Sequence, residues 1–537
     1  MTASVAIAAP AAPGIAPPPA AVPRCKYPLV GVAAVLIGAF VSTLNTRVTT
    51  FGLADIRGGL GLGFDEGSWL TSIFSASQML VTPAAAWLST VLGARRLLLW
   101  ASLIFGLSSL LVPLATDYPT ILVLQAIRGL SVGTFIPAAL GFILRTMAPR
   151  WWIWGIAAYA FRFVFSQNVA SSLEAFYSET GYWQFIFWQN VVLAPLLGAL
   201  IWFGMPRQPI DRTLLSRTDW GGIVLAGLGF ALLYAGIDQG NRLDWLGSGV
   251  VVGLLLGGGL LIAAFFVNEA IVADPLVHLR IAAHRYVWVP GLLITIYGFG
   301  STATAFVLPD YLTRVQGLRA LQIGDVLNWI ALPQFILVPA TALVLRWIDA
   351  RLIIALGFAV IGVGSWMDSG LTHDWANADF LPSQIVEAVG LAVSITALVT
   401  FAVANITPPQ AAAIAAVIQT ARLFGAELGN AFIQTFVRIR EQVHSNIIEQ
   451  HIAAGSDIVE RMIASVSGAF TDRPVGSGDA TAQALQTIGG IIRREAYVLS
   501  YIDAFWVIAW ILAGAILLLL LLRPPPPNPM TPPRLPI

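Results

Sequence analysis

Residues 249–268, GVVVGLLLGGGLLIAAFFVN, run for one unbroken stretch without a charged side chain. Coiled as an α-helix at about 1.5 Å per residue, such a stretch is roughly 30 Å long, the thickness of a bilayer's hydrocarbon core. Its glycines are not a nucleotide loop. Gly253–Gly259 (GLLLGGG) lacks the lysine that grips phosphate, and it lies inside the run, where small residues let helices approach closely. Direct powering by ATP is therefore not expected.

Outward from this run, the same pattern recurs along the chain. Apolar stretches of spanning length fall at 29–52, 68–89, 97–115, 119–144, 152–174, 185–204, 220–237, 249–268, 287–308, 324–346, 352–368, 380–404, 411–436 and 502–522. Hydrophobic residues make up 57% of the 537, charged residues only 11%, and mean hydropathy is +0.79. A soluble domain carries about 25% charged residues. The expected fold class is an all-α polytopic membrane protein of about fourteen transmembrane helices.

Loop charge sets the expected orientation, because positively charged loops stay in the cytoplasm. With the N-terminus inside, that side holds Arg24, Lys26, Arg95, Arg96, Arg145, Arg150, Arg207, Arg212, Arg217, Arg280, Arg285, Arg346, Arg351, Arg523 and Arg534. The short loops opposite hold only Arg57, Arg242, Arg314 and Arg319. One missed helix would scramble that alternation. Tryptophans such as Trp69, Trp151, Trp152, Trp183, Trp220, Trp245 and Trp375 fall near span ends, as interfacial aromatics do.

Other classes find no support in the residues. Net charge of +1 gives no footprint for nucleic acid. Cys25 is the lone cysteine, and His278, His284, His373, His444 and His451 lack metal-ligand spacing. No metal, cofactor or catalytic residue is expected. Residues 1–28 and 523–537 read as Pro-rich tails, and no basic segment precedes an apolar one as in a signal peptide. One loop is long. In 438–500, Ile447, Ile448, Ile452, Ile458, Met462 and Ile463 recur at helical spacing, and Arg473–Asp479 (RPVGSGD) reads as a breaker between two helical pieces. That loop is either a docking hairpin for a periplasmic partner or a cap on the outer face.

In order along the chain come LNTRVTTFGLADIRGGLG with Gly67, Ser68 and Trp69; IRGLSVGTFIP; YWQFIFWQN with Asn190; DQGNRLDW; NEAIVADPLVHLRI; VLPDYLTRVQGLRALQIGDVLNWIALPQ; Arg422; and REAYVLSYIDAFW. Together they make the sequence, over about 29–522, resemble the fourteen-helix drug:proton antiporter branch of the major facilitator superfamily, the EmrB/QacA type. The resemblance implies two six-helix bundles, 29–206 and 286–522, around a central cavity, with 207–285 a linker carrying two extra helices. It implies export of small amphiphilic or drug-like compounds across the bacterial inner membrane, driven by protons, with both termini cytoplasmic. A periplasmic membrane-fusion adaptor and an outer-membrane channel are implied partners.

The sequence also departs from that family. The usual span 1 aspartate is Asn45, with Arg47 two residues on. The usual Arg-x-x-Gln-Gly of span 4 is reversed to Gln125-x-x-Arg128-Gly129, with the two side chains one turn apart on roughly one face. The antiporter motif Gly-Pro-x-x-Gly-Gly of span 5 is replaced by Ala170-Ser171-Ser172-Leu173-Glu174-Ala175. The loop motif after span 2 keeps Gly93 and Arg96, with Thr90 where an acid is usual; its second copy after span 10 keeps Asp349 and Arg351. These four are the expected conformational-switch positions.

Ionisable residues inside spans each cost about 2.5–3.5 kcal/mol or more. The basic ones are Arg47, Arg128, Arg162 and Arg422; with Asn45 and Gln125 they are the substrate-cavity candidates. Glu427, Glu387 and Glu174 are the proton-coupling candidates, and Asp325 and Asp503 lie near span ends. Arg422 and Glu427, about 140° apart on their helix, are not expected to pair. Two uses are open: a relocated proton site, or a positive cavity for an anionic amphiphile. Against both stands structural pairing, in which acids neutralise arginines across helices. Transport of a lipid-like molecule without ion coupling and a non-transporting scaffold are the alternatives.

Overall fold

The computed structural model describes residues 27–276, 279, 283, 285–404, 411–451, 460–461, 463–465 and 477–522. Cys25, nearly all of both tails and most of the Arg473–Asp479 breaker lie outside these residues. Fourteen long helical segments follow one another among them. They are α1 (Pro28–Phe51), α2 (Phe64–Val91), α3 (Ala94–Leu114), α4 (Tyr118–Thr146), α5 (Trp152–Glu179), α6 (Phe185–Gly204), α7 (Trp220–Gly240), α8 (Gly249–Ile271), α9 (Val287–Arg314), α10 (Ala320–Val344), α11 (Ala350–Asp368), α12 (Leu381–Ala404), α13 (Ala411–His451) and α14 (Ser477–Leu518). Eleven are long and apolar enough to cross a membrane. The other three, α2, α5 and α13, have spanning length but carry more polar side chains.

Local chemistry sets the helix ends. Asp117 caps α4 by accepting from the Thr120 N–H at 2.9 Å, Asp219 caps α7 through Gly222 N–H at 2.8 Å, and Asp349 caps α11 through Arg351 N–H at 2.9 Å. Three segments are interrupted: α4 at Thr134, α10 at Leu332–Pro333, and α9 by a π-turn at Ala303–Val307. Proline in helix interiors removes a donor and crowds the preceding turn. A π-turn in an otherwise α-helical span is a common mark of function.

The first six helices form one bundle and α9–α14 the other. They meet along α5 and α10, where Ser171 Oγ donates to the Ala320 carbonyl at 2.8 Å and Asn328 Nδ2 donates to Ser172 Oγ at 3.0 Å. They meet again at α2 and α13. The pair α7 and α8 packs outside this second seam, with α7 against both α2 and α13 and much of α8 facing outward. At the α9–α13 crossing, a Cβ on Gly425 would stand 2.4 Å from the Thr295 carbonyl oxygen, and one on Gly298 2.7 Å from Ala426 N. Only glycine permits this approach, and it fixes where Arg422 sits one turn earlier.

The described residues of 438–500 are helical, as their spacing leads one to expect, although Ser477–Asp479 of the breaker stretch already belong to α14. Residues 438–451 continue α13 without a break, and α14 is already helical from Ser477. Ile447 and Ile448 of the loop's apolar series belong to α13, whereas Ile452, Ile458 and Met462 lie outside the described residues. Salt links then zip the two extensions: Arg440 Nε to Asp503 at 2.6 Å, His444 to the same carboxylate at 2.8 Å, and Arg493 to Glu441 at 3.6 Å.

Candidate functional site

Three of the four intramembrane arginines converge between the bundles. Arg162 on α5 donates to Thr43 Oγ1 on α1 at 2.8 Å and lies over the Tyr159 ring at 4.2 Å. Arg422 on α13 donates to Gln419 Oε1 at 3.2 Å and lies over Phe163 of α5 at 4.4 Å. The two guanidinium groups are near enough to repel. Arg47 on α1 crosses to the other bundle and donates to the carbonyl of Ala305, inside the π-turn of α9, at 2.7 Å. Tyr234 of α7 lies within electrostatic range of both Arg47 and Arg422.

None of these arginines forms an ion pair among the described residues. The structural pairing considered from sequence is therefore not formed. Several groups around the centre lack a hydrogen-bond partner among the described residues: Arg47 Nε, Arg162 Nε, Gln419 Nε2 and the Tyr297 hydroxyl. All four can donate a hydrogen bond. A buried donor left unpaired costs about 1–3 kcal/mol, and an acceptor placed among these four would remove that cost.

Arg128 stands apart from that centre. It is fully buried within the first bundle, where Nε donates to Ser109 Oγ at 3.0 Å, Nη1 to Gln125 Oε1, and Nη2 to Asn45 Oδ1 at 3.3 Å. Asn45 and Asn190 exchange amide hydrogen bonds at 2.7 and 2.8 Å. Phe187, Phe74 and Phe105 cover the guanidinium at 4.7, 5.3 and 5.6 Å. The cage answers a buried cation with oxygens and ring faces in place of a carboxylate. Gln125 and Arg128 do share one helix face.

Each acidic candidate meets a second acid. Glu427 on α13 lies within electrostatic range of Tyr234 and Asp238 of α7. Asp238 also accepts from Ser72 Oγ on α2 and from Gln239 Nε2 at 3.0 Å. Arg242 then joins Gln239, at 2.7 Å, to the exposed Asp65. Glu174 on α5 lies within electrostatic range of Asp55, in the short helix Leu53–Leu60. Glu387 on α12 accepts from Ser365 Oγ at 3.2 Å and faces Asp368 of α11. The residues that sequence reasoning missed are these partners. Asp238 escaped because the apolar run ends at 237, one residue short, whereas α7 continues to Gly240.

With a cationic centre between two bundles of spanning helices in view, the comparison with known proteins is decisive. The profile of the Major Facilitator Superfamily matches residues 35–430, well over half the chain. The chain belongs to the major facilitator superfamily. It is thus a multi-pass membrane transporter and not an enzyme. Within the superfamily the full-length likeness is to the drug-export branch. Fatty acid resistance protein FarB of Neisseria gonorrhoeae is 23% identical over 489 residues, 90% of this chain and 92% of that one. Multidrug export protein EmrB of Escherichia coli K12 is 21% identical over 485 residues, 89% and 91% of the two chains. Among solved structures, the human organic anion transporter MFSD10 superposes with a TM-score of 0.55 at 13% identity, over 90% of this chain and 99% of that one. That last likeness is one of fold.

In this transporter the expected switch positions sit at tight joints. Gly93 turns between α2 and α3 with φ of +83°, a left-handed conformation that favours glycine. Arg96 is exposed beside it, at the edge of a groove between α3 and α6 that Trp100 and Trp202 line. Arg351 pairs with Asp349 at 2.9 Å and donates to the Leu522 carbonyl at 2.9 Å, tying the start of α11 to the end of α14.

Proposed function

We propose that this transporter exports small amphiphilic compounds bearing a negative charge across the bacterial inner membrane, in exchange for protons, with both termini in the cytoplasm. One observation carries the reading: among the described residues Arg47, Arg162 and Arg422 converge without an ion-paired carboxylate, beside buried donors that have no acceptor. An anionic headgroup supplies what those donors lack, and Phe163, Tyr159 and Tyr297 supply apolar surface for its body. The names of relatives agree in kind, since one is a fatty acid resistance protein and another a multidrug exporter.

For the proton, Glu427 is the favoured acceptor, ahead of Glu387 and Glu174. Glu427 and Asp238 are neighbouring buried acids, and one proton held between them would relieve the repulsion of two carboxylates. Tyr234 lies near Glu427, Arg422 and Arg47, so protonation and substrate charge act on one another over a short distance. The extensions of α13 and α14 past the bundle offer a surface for a periplasmic membrane-fusion adaptor that leads to an outer-membrane channel. Gly93, Arg96, Asp349 and Arg351 are assigned to the joints that flex as the bundles rock.

The test is transport in proteoliposomes with and without an imposed proton gradient. A dansylated fatty acid is expected to move only with the gradient. Movement of lipophilic cations but not anions overturns the substrate class. Anion transport indifferent to the gradient favours uncoupled movement of a lipid-like molecule, and no flux of either kind favours a scaffold.

A further inference from the structure

A cavity of about 640 Å³ lies beside the central arginines, between the inserted pair and both bundles. Its walls are Trp87 on α2, Phe230 on α7, Phe265 and Phe266 on α8, and Phe424 on α13. Its polar groups gather at one end, where α2 finishes and α7 and α13 begin: Arg217, Thr218, Asp219 and Asp274. That volume and that lining, apolar with a few polar groups at one end, suit a drug-sized amphiphile.

Three further facts give the cavity a role. First, α13 is the partition between it and the centre. Thr420, Ala421 and Phe424 face the cavity, while Arg422, about 100° round the helix from Ala421, faces Phe163 and Arg162. Second, its walls come from α2 of one bundle and α9 and α13 of the other, so the space must change as the bundles move. Third, the charges at the mouth are not equivalent. Asp219 is engaged in capping α7 and in accepting from Asn268 Nδ2 at 2.6 Å. Arg217 is exposed and forms no ion pair among the described residues. Asp274, also exposed, stands at the same mouth and disfavours a second negative charge.

We infer that this lateral cavity is a second binding site, which takes a monoanionic amphiphile with its head at Arg217 and its apolar body along Phe230, Phe265 and Phe424. The inference rests on the exporter reading for its substrate class and for the sidedness of its mouth. In it, the inserted helices build a loading site at membrane level, and α13 separates loading from the central arginines.

The experiment is a titration of the purified full-length protein with 11-(dansylamino)undecanoate, followed by dansyl fluorescence. Two classes of site are expected. Ala226→Trp, which fills the cavity from α7, should abolish one class, and Arg422→Gln should abolish the other. Arg217→Gln, an exposed change that does not threaten folding, should weaken the lateral class about tenfold and keeps the test valid if Ala226→Trp does not fold. A dicarboxylate analogue should bind only the centre. If folded Ala226→Trp and Arg217→Gln both titrate like the unaltered protein, the lateral site is wrong. Vesicle transport of the same probe separates the two proposals. Transport with unaltered lateral titrations sinks the site alone, and lateral binding without transport sinks the exporter reading alone.

Discussion

Arg162 and Arg422 belong to opposite bundles and face one another at the centre of the molecule, each lying over an aromatic ring of α5 and neither paired with a carboxylate. Two like charges brought together inside a membrane are costly. They are tolerated here by ring faces and by hydrogen bonds to Thr43 and Gln419.

Arg422→Gln and Arg162→Gln should each weaken binding of an anionic amphiphile. Loss of a hydrogen bond to a charged group is worth about 1.5–3 kcal/mol, or roughly 10- to 150-fold in affinity. Binding of a lipophilic cation should be unchanged or tighter. Titrating both probes against the two variants reads the result, and equal weakening of cation and anion would argue for a structural role.

Glu427→Gln should abolish proton-coupled transport and leave the protein folded, because glutamine keeps the shape and loses the proton. Asp238→Asn, on the inserted α7, should do the same through the shared contact. Proton flux with a pH dye, alongside thermal melting, separates coupling from folding. Normal coupled transport by the Gln variants of Glu427, Glu387 and Glu174 would remove all three from consideration.

Arg128→Ala should destabilise without a preference among substrates. It strands Ser109 Oγ and Gln125 Oε1, at about 1–3 kcal/mol for each buried polar group left unmet, while Asn45 keeps its amide exchange with Asn190. Asn45→Asp, by contrast, gives the cation an anionic neighbour and should keep the melting temperature at or above that of the unaltered protein. A melt of both variants in detergent is sufficient. Strong destabilisation by Asn45→Asp would show that the amide pair with Asn190 outweighs the charge.

Gly425→Leu should separate α9 from α13, since even a Cβ there meets the Thr295 carbonyl at 2.4 Å. Overpacking of this kind costs about 1–3 kcal/mol. It also displaces Arg422, so anion affinity should fall along with the melting temperature, whereas Gly259→Leu on the open face of α8 should change neither.

Legibility of the site followed the range of the interactions. Gln125 and Arg128 were readable as neighbours because three residues on a helix share a face, and the structure has them hydrogen-bonded. The separation of Arg422 from Glu427 was readable for the same reason. What could not be read was the partner across helices. Asn45 meets Arg128 from 83 positions away and Asn190 from 145, and Glu427 meets Asp238 from a helix outside its own bundle. Of the open alternatives, structural pairing of acids with arginines is the one that the described residues do not form; each acid candidate lies near a second acid instead.

The sequence by itself determined the spanning segments, their order, the charge bias of the loops and the superfamily, since span length and loop charge are local properties that a bilayer reads directly. Only the tertiary structure decided which buried charges meet. It sealed Arg128 in an amide and aromatic cage, and gathered Arg47, Arg162 and Arg422 at the interface. It also turned the inserted α7 toward Glu427 and the lateral cavity. Those choices depend on how helices rotate and cross, which close contacts such as Gly425 against Thr295 fix and no single stretch of sequence contains.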